Sequence, residues 1–152
     1  MIYGEKLKYL REEKELTQKD LGDLIEVHAA TYSQFERESS IIPIKRLNTY
    51  ANFFNVSIDY LFNFTNIKQY KNSKKEPNLE LSGTRLKEVR KENKVTQVKL
   101  ANILNTTQSN IVGYEKGKFI IATPYLYTIC KKYNISADYL LGKIDTPKYL
   151  NK

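Results

Sequence analysis

Residues 96–118 read TQVKLANILNTTQSNIVGYEKGK, and the punctuation of this stretch decides the fold. Thr96 stands where its hydroxyl can accept from an orphan amide of the helix that follows, and Leu100, Ile103 and Leu104 give that helix an apolar stripe on one side. Asn105-Thr106-Thr107 makes a short turn, because asparagine tolerates a left-handed backbone and Thr107 is a capping residue for a second helix. In that second helix Ile111 and Tyr114 lie three apart on the core side, which leaves Gln108, Ser109, Val112 and Gly113 on other faces.

Upstream, residues 85–93 place Leu86, Val89 and Arg90 on one face at helical spacing. Downstream, residues 126–133 read as a fourth helix, and Ser136 with Asp138 in the favoured first turn opens a fifth. No segment reads as a strand. The whole pattern occurs twice. A shift of 79 residues aligns positions 4–63 with 83–142 without a gap, with 18 identities in 60 positions. Leu7/Leu86, Arg11/Arg90, Thr17-Gln18/Thr96-Gln97, Leu21/Leu100, Glu36/Glu115, Leu47/Leu126 and Asp59-Tyr60-Leu61/Asp138-Tyr139-Leu140 are among them. A period this long is a domain and not a solenoid unit. The expected organisation is a first domain over 1–66, a polar, lysine-rich, Pro77-interrupted linker over 67–81, a second domain over 82–146 and a tail over 147–152.

Charge separates the two copies. Residues 1–66 hold 8 Lys+Arg against 10 Asp+Glu, residues 67–81 hold 4 against 2, and residues 82–152 hold 13 against 5, so the net +8 sits in the last segment. A cationic domain of that size suits a polyanionic partner. No apolar stretch approaches a membrane span, and the amino-terminal residues lack the basic and apolar regions of an export signal, so a cytoplasmic location is expected. One cysteine, Cys130, and one histidine, His28, make neither a disulfide nor a metal cluster, and no cofactor motif, glycine-rich phosphate loop or serine elbow is readable. An enzyme is not expected.

Two helices joined by a short turn, the second with a polar outer face, have the geometry that lays a helix in the major groove. Arg90-x6-Gln97-x2-Leu100-Ala101 followed by Thr107-Gln108-Ser109-Asn110-Ile111-x2-Tyr114-Glu115-Lys116-Gly117-Lys118 resembles the Cro/repressor-type helix-turn-helix family of the lambdoid phages (XRE family), and both repeats share the pattern. The resemblance implies an all-α chain of two tandem five-helix, lambda-repressor-like DNA-binding domains joined by a short basic linker. It implies that residues 108–114 form the recognition helix, with Gln108, Ser109 and Val112 facing base edges and Thr107, Asn110 and Gly113 on the same surface. A glutamine or asparagine amide can pair with adenine N6 and N7, and a valine methyl can meet the thymine methyl. Gln97 resembles the family's phosphate-binding glutamine, and Lys116 and Lys118 flank a loop suited to the phosphate backbone, contacts that position without specifying. Arg11 with Glu36 and Arg90 with Glu115 occupy positions that form buried ion pairs in family members, so neither arginine is counted among the DNA contacts.

The first repeat departs from this pattern. Glu26 stands at the turn position better served by Asn105, His28 replaces the capping Thr107, and Glu38 replaces Gly117. His28 reads as an exposed helix cap more readily than as a pH sensor. The corresponding face is Gln18, Ala29, Ala30, Thr31, Ser33 and Gln34, of which Gln34 is the informative one, and Glu38 would repel a phosphate. The expected function is therefore a sequence-specific, double-stranded-DNA-binding transcriptional regulator, a repressor acting by operator occupancy with the second domain dominant, encoded by a bacterium, phage or mobile element. The competing reading is an antitoxin or adaptor whose first domain contacts protein. A flexible linker of about 15–19 residues spans roughly 20–25 Å, so half-sites about 34–36 Å apart fall within its extended reach. A homodimer through the first domain is the other arrangement; the sequence names no small-molecule effector.

Overall fold

The computed structural model describes residues 1–150. The chain divides into two compact units, Met1–Lys74 and Lys75–Lys152. Among the described residues there is no strand, one isolated antiparallel bridge joins Ile135 to Tyr149, and no helix is long and apolar enough to cross a membrane. The protein is all-α.

In the first unit α1 spans Gly4–Glu13, α2 Gln18–Leu24, α3 Ala29–Arg37, α4 Ile44–Phe54 and α5 Ile58–Leu61. The starts of α2 and α5 have local causes. Thr17 and Asp20 form a capping box at α2, with Thr17 Oγ1 accepting from the Asp20 N–H and the Asp20 carboxylate accepting from the Thr17 N–H. Ser57 accepts from the Tyr60 N–H to open α5, and Asn55 in the left-handed region at φ 54° closes α4. Leu7, Leu21, Ile25, Tyr32, Leu47, Tyr50, Ile58 and Leu61 converge between the helices and are buried, each worth roughly 1.5–3 kcal/mol of transfer free energy. The Tyr50 hydroxyl enters this core because it donates to the Leu7 carbonyl.

In the second unit α6 spans Leu79–Glu92, α7 Gln97–Leu104, α8 Gln108–Glu115, α9 Thr123–Tyr133 and α10 Ala137–Leu140. Leu86, Leu100, Ile111, Leu126, Ile129 and Leu140 repeat the core, while Ile103 is half-buried. Cys130 is one of these core residues. Arg85 ties the end of the unit to its beginning: its guanidinium lies on the Tyr139 ring and donates to the Tyr139 and Ile144 carbonyls at 2.6 and 2.7 Å and to Asp145 at 2.8 Å.

The segment expected as a linker over 67–81 is built into the units at both ends. Lys68 accepts from the Ser57 N–H, the Tyr70 hydroxyl donates to the buried Asp59 carboxylate at 2.8 Å, and Ser73 is buried. At the other end Asn78 donates its N–H to the Leu141 carbonyl at 2.9 Å and accepts from the Leu81 N–H, starting α6 three residues before the expected boundary at 82. The reach of a free chain of 15–19 residues therefore does not describe this segment as folded. Lysine and proline content signals exposure of side chains; it carries no information about where the backbone groups bond. The expected tail behaves alike, since Lys148 accepts from the Ser136 N–H and Leu150 donates to the Asn134 carbonyl; residues 151 and 152 of that tail lie outside the described residues.

Candidate nucleic-acid interface

Both units hold their second and third helices with the same clamp. Arg11 Nε and Nη2 donate to the two carboxylate oxygens of Glu36 at 2.6 and 3.1 Å, and Arg90 meets Glu115 at 2.7 and 3.1 Å. In each, the third guanidinium nitrogen donates at 3.0 Å to the carbonyl of the loop after the first helix, Leu16 or Val95, and a glutamine at the head of the second helix, Gln18 or Gln97, donates to the same carboxylate at 3.2 or 3.1 Å. Both glutamate side chains are 4% exposed. Burial opposes the Glu36 charge, but the hydrogen bonds from Arg11 and Gln18 outweigh it and hold the carboxyl below its usual range; each arginine is raised in turn by its partner. The bidentate fork fixes the register of the first, second and third helices and leaves the arginines unavailable to a ligand.

The turn of the second unit has the expected chemistry. Asn105 adopts φ 54°, ψ 47°, and Thr107 Oγ1 accepts from the Asn110 N–H to cap α8. Gln108 and Ser109 stand exposed on the outer face of α8, with Val112 half-buried beside them. Gln108 Nε2 donates to Gln97 Oε1 at 3.4 Å, so the clamp carboxylate orients Gln97 and Gln97 in turn orients Gln108. Lys116 and Lys118 are exposed at the following loop. Two of the expected residues take other roles. The Asn110 amide donates to Thr106 Oγ1 at 2.7 Å and braces the turn. Gly113 is covered, since a Cβ there would come within 2.3 Å of the far end of the Phe119 ring. Gln108, Ser109, Asn110, Val112, Gly113, Lys118 and Phe119 together line an open hollow of about 420 Å³.

The corresponding face of the first unit differs. Glu26 takes the left-handed turn at φ 61°, a conformation that costs a residue with a side chain about 1 kcal/mol. His28 caps α3 by position alone, with no side-chain hydrogen bond. Ala29 and Ala30 are exposed, Thr31 and Ser33 half-buried, and the exposed Gln34 accepts from the Ser40 hydroxyl at 2.8 Å. Glu38 is not directed outward as a repelling charge. Its carboxylate accepts from the Ile2, Tyr3 and Gly4 amides at 2.8 to 3.1 Å and so caps α1 from a residue 34 positions away.

The first unit, over residues 7–61, matches a family model described as helix-turn-helix, and residues 83–146 match a second described as a helix-turn-helix domain. The chain is a tandem of two helix-turn-helix domains. Among similar proteins, the HTH-type transcriptional regulator ImmR of Bacillus subtilis (strain 168) is 39% identical over 66 residues, which cover 43% of this chain and 52% of that protein. The uncharacterized HTH-type transcriptional regulator YobD of the same organism is 31% identical over 64 residues, 42% of this chain and 57% of that protein. The chain thus spans about half the length of the curated relatives it matches.

Phe119 on the tandem helix-turn-helix surfaces, and the capping role of Glu38, were not legible in the sequence. Phe119 joins the outer face of α8 because it folds back over Gly113; a small residue in one copy facing a large one six positions later, where the other copy has Gln34 and Ser40, is the signal that could have shown it. Glu38 had no such signal, because its partners are backbone amides.

Proposed function

We propose that this chain binds double-stranded DNA sequence-specifically through α7 and α8, and that it represses transcription by occupying an operator. The observation that carries the reading is the relay from Glu115 through Gln97 to Gln108: a buried carboxylate fixes one amide, which positions a second on the exposed face of a capped helix. A pre-positioned glutamine loses little rotamer freedom when it pairs with an adenine edge. Lys116 and Lys118, with the amides of their loop, supply phosphate contact. Ser109 and Val112 complete the reading surface; Thr107 caps its helix, Asn110 braces the turn, and Gly113 lies on the same face beneath the Phe119 ring.

The second domain is the dominant reader and the first is subordinate. Two exposed alanines and a glutamine already bonded to Ser40 offer few groups to a base edge, and the Glu38 carboxylate, bonded to the α1 amides, stands where the second domain has Gly117. The same features favour protein contact for the first domain, through which the chain would act as an antitoxin or adaptor. Selection of binding sites from random duplex DNA by the intact chain at near-physiological salt tests the proposal. Enrichment of a short motif is expected. Failure to enrich any sequence overturns it and leaves protein contact as the reading to pursue.

A further inference from the structure

Phe119 is 45% exposed, although it lies in a loop where a polar residue would carry no desolvation cost. Its ring is held from two sides. It meets Tyr114 edge-on at 5.3 Å between centroids, and it rests on α8 at Gly113, where any side chain would displace it. The ring therefore covers the site on the outer face of α8 from which a side chain at position 113 would project. Around it in the same open hollow lie Gln108, Ser109 and Val112 on the helix and Lys118 on the loop. An immobilised apolar surface between a base-pairing amide and a phosphate-seeking cation faces whatever lies against α8.

We propose that Phe119 is a specificity-determining residue that recognises the 5-methyl group of a thymine in the major groove, taking over the reading position that Gly113 leaves empty. This rests on the proposal that α8 binds DNA. The major groove displays one apolar group, the thymine methyl, and an aromatic ring is among the side chains that contact it. The ring is already ordered by Tyr114, so it loses little freedom on binding. The first domain has no equivalent, because Ser40 stands at the matching place and bonds to Gln34.

The test uses the duplex enriched from the random library by the intact chain, labelled and prepared in versions in which each thymine in turn is replaced by deoxyuridine, which lacks the methyl. Affinity of the intact chain should fall about fourfold at one position, the worth of one buried methyl. Phe119→Ala should bind the thymine and deoxyuridine versions equally at that position, and Phe119→Leu should keep part of the difference. Gly113→Ala, which favours the helix and displaces the ring, should also lose it, so the outcome does not depend on Phe119→Ala folding well. A deoxyuridine penalty that survives both Phe119→Ala and Gly113→Ala assigns the methyl to Val112 and overturns the inference. DNA binding with no penalty at any position overturns it as well. If no duplex is enriched at all, the DNA-binding reading itself fails and this inference falls with it.

Discussion

The two domains share a clamp and differ in how the first helix starts and in what the third helix presents. Arg11–Glu36 and Arg90–Glu115 match to within about 0.1 Å in their ion-pair and loop-carbonyl contacts, yet the residues that end the third helix have opposite roles. In the first domain α1 starts at Gly4 and Glu38 reaches over to cap it. In the second, α6 runs about one turn longer, is capped by its own Asn78, and passes so close that a Cβ at Gly117 would come within 3.1 Å of the Leu79 carbonyl. A carboxylate has no room there. The first helix thus starts in two ways, under the Glu38 carboxylate in the first domain and under Asn78 in the second, where the longer helix passes close to Gly117.

Substitutions separate what the two domains have in common from what each has alone. The largest effect belongs to the part that the domains share. Glu36→Ala and Glu115→Ala each leave a largely buried arginine without its partner and should lower the stability of their own domain by about 3 kcal/mol, measured by urea denaturation. Markedly unequal losses would show that the clamps are not equivalent. Because the Glu36 carboxyl is held below its usual range, its contribution is complete above the unfolded value of about 4.3 and is lost as pH falls through the lower folded value. The first domain should therefore lose stability below about pH 4, and Glu36→Gln should flatten that acid limb of the stability profile.

Next in size, Glu38→Ala should cost the first domain about 1–2 kcal/mol in thermal unfolding, since three amides lose their acceptor. No loss would mean that water caps α1 equally well. His28→Thr should stabilise the first domain by about 1 kcal/mol by giving α3 the side-chain cap that Thr107 gives α8. The smallest change is Lys118→Ala, which should weaken binding to all duplexes alike and reduce the slope of log affinity against log salt by about 1. The same substitution at Ser39, its counterpart in the first domain, should leave the slope unchanged.

What the sequence disclosed and what it hid divide along physical lines. Thr96 and Thr107 announced helix starts because capping acts over two or three residues, and the core positions announced themselves because the repeat states them twice. The buried arginine–glutamate pairs followed from family resemblance, and the structure supplies their geometry. Hidden were contacts between residues far apart in the chain that leave no periodic trace: Glu38 on the α1 amides, Tyr70 on Asp59 and Phe119 over Gly113. Asn110 illustrates the limit of counting polar residues on an outer face, since its amide is taken by Thr106 one turn away.

Repeating the binding-site selection with two variants of the intact chain decides whether the second domain supplies the reading face. One carries Gln108→Ala with Ser109→Ala; the other carries Thr31→Ala with Gln34→Ala. The first variant should lose or relax the core of the enriched motif, by about 1–3 kcal/mol at the position read by Gln108, while the second keeps that core. A motif that survives the α8 substitutions and is erased by those in α3 would contradict this.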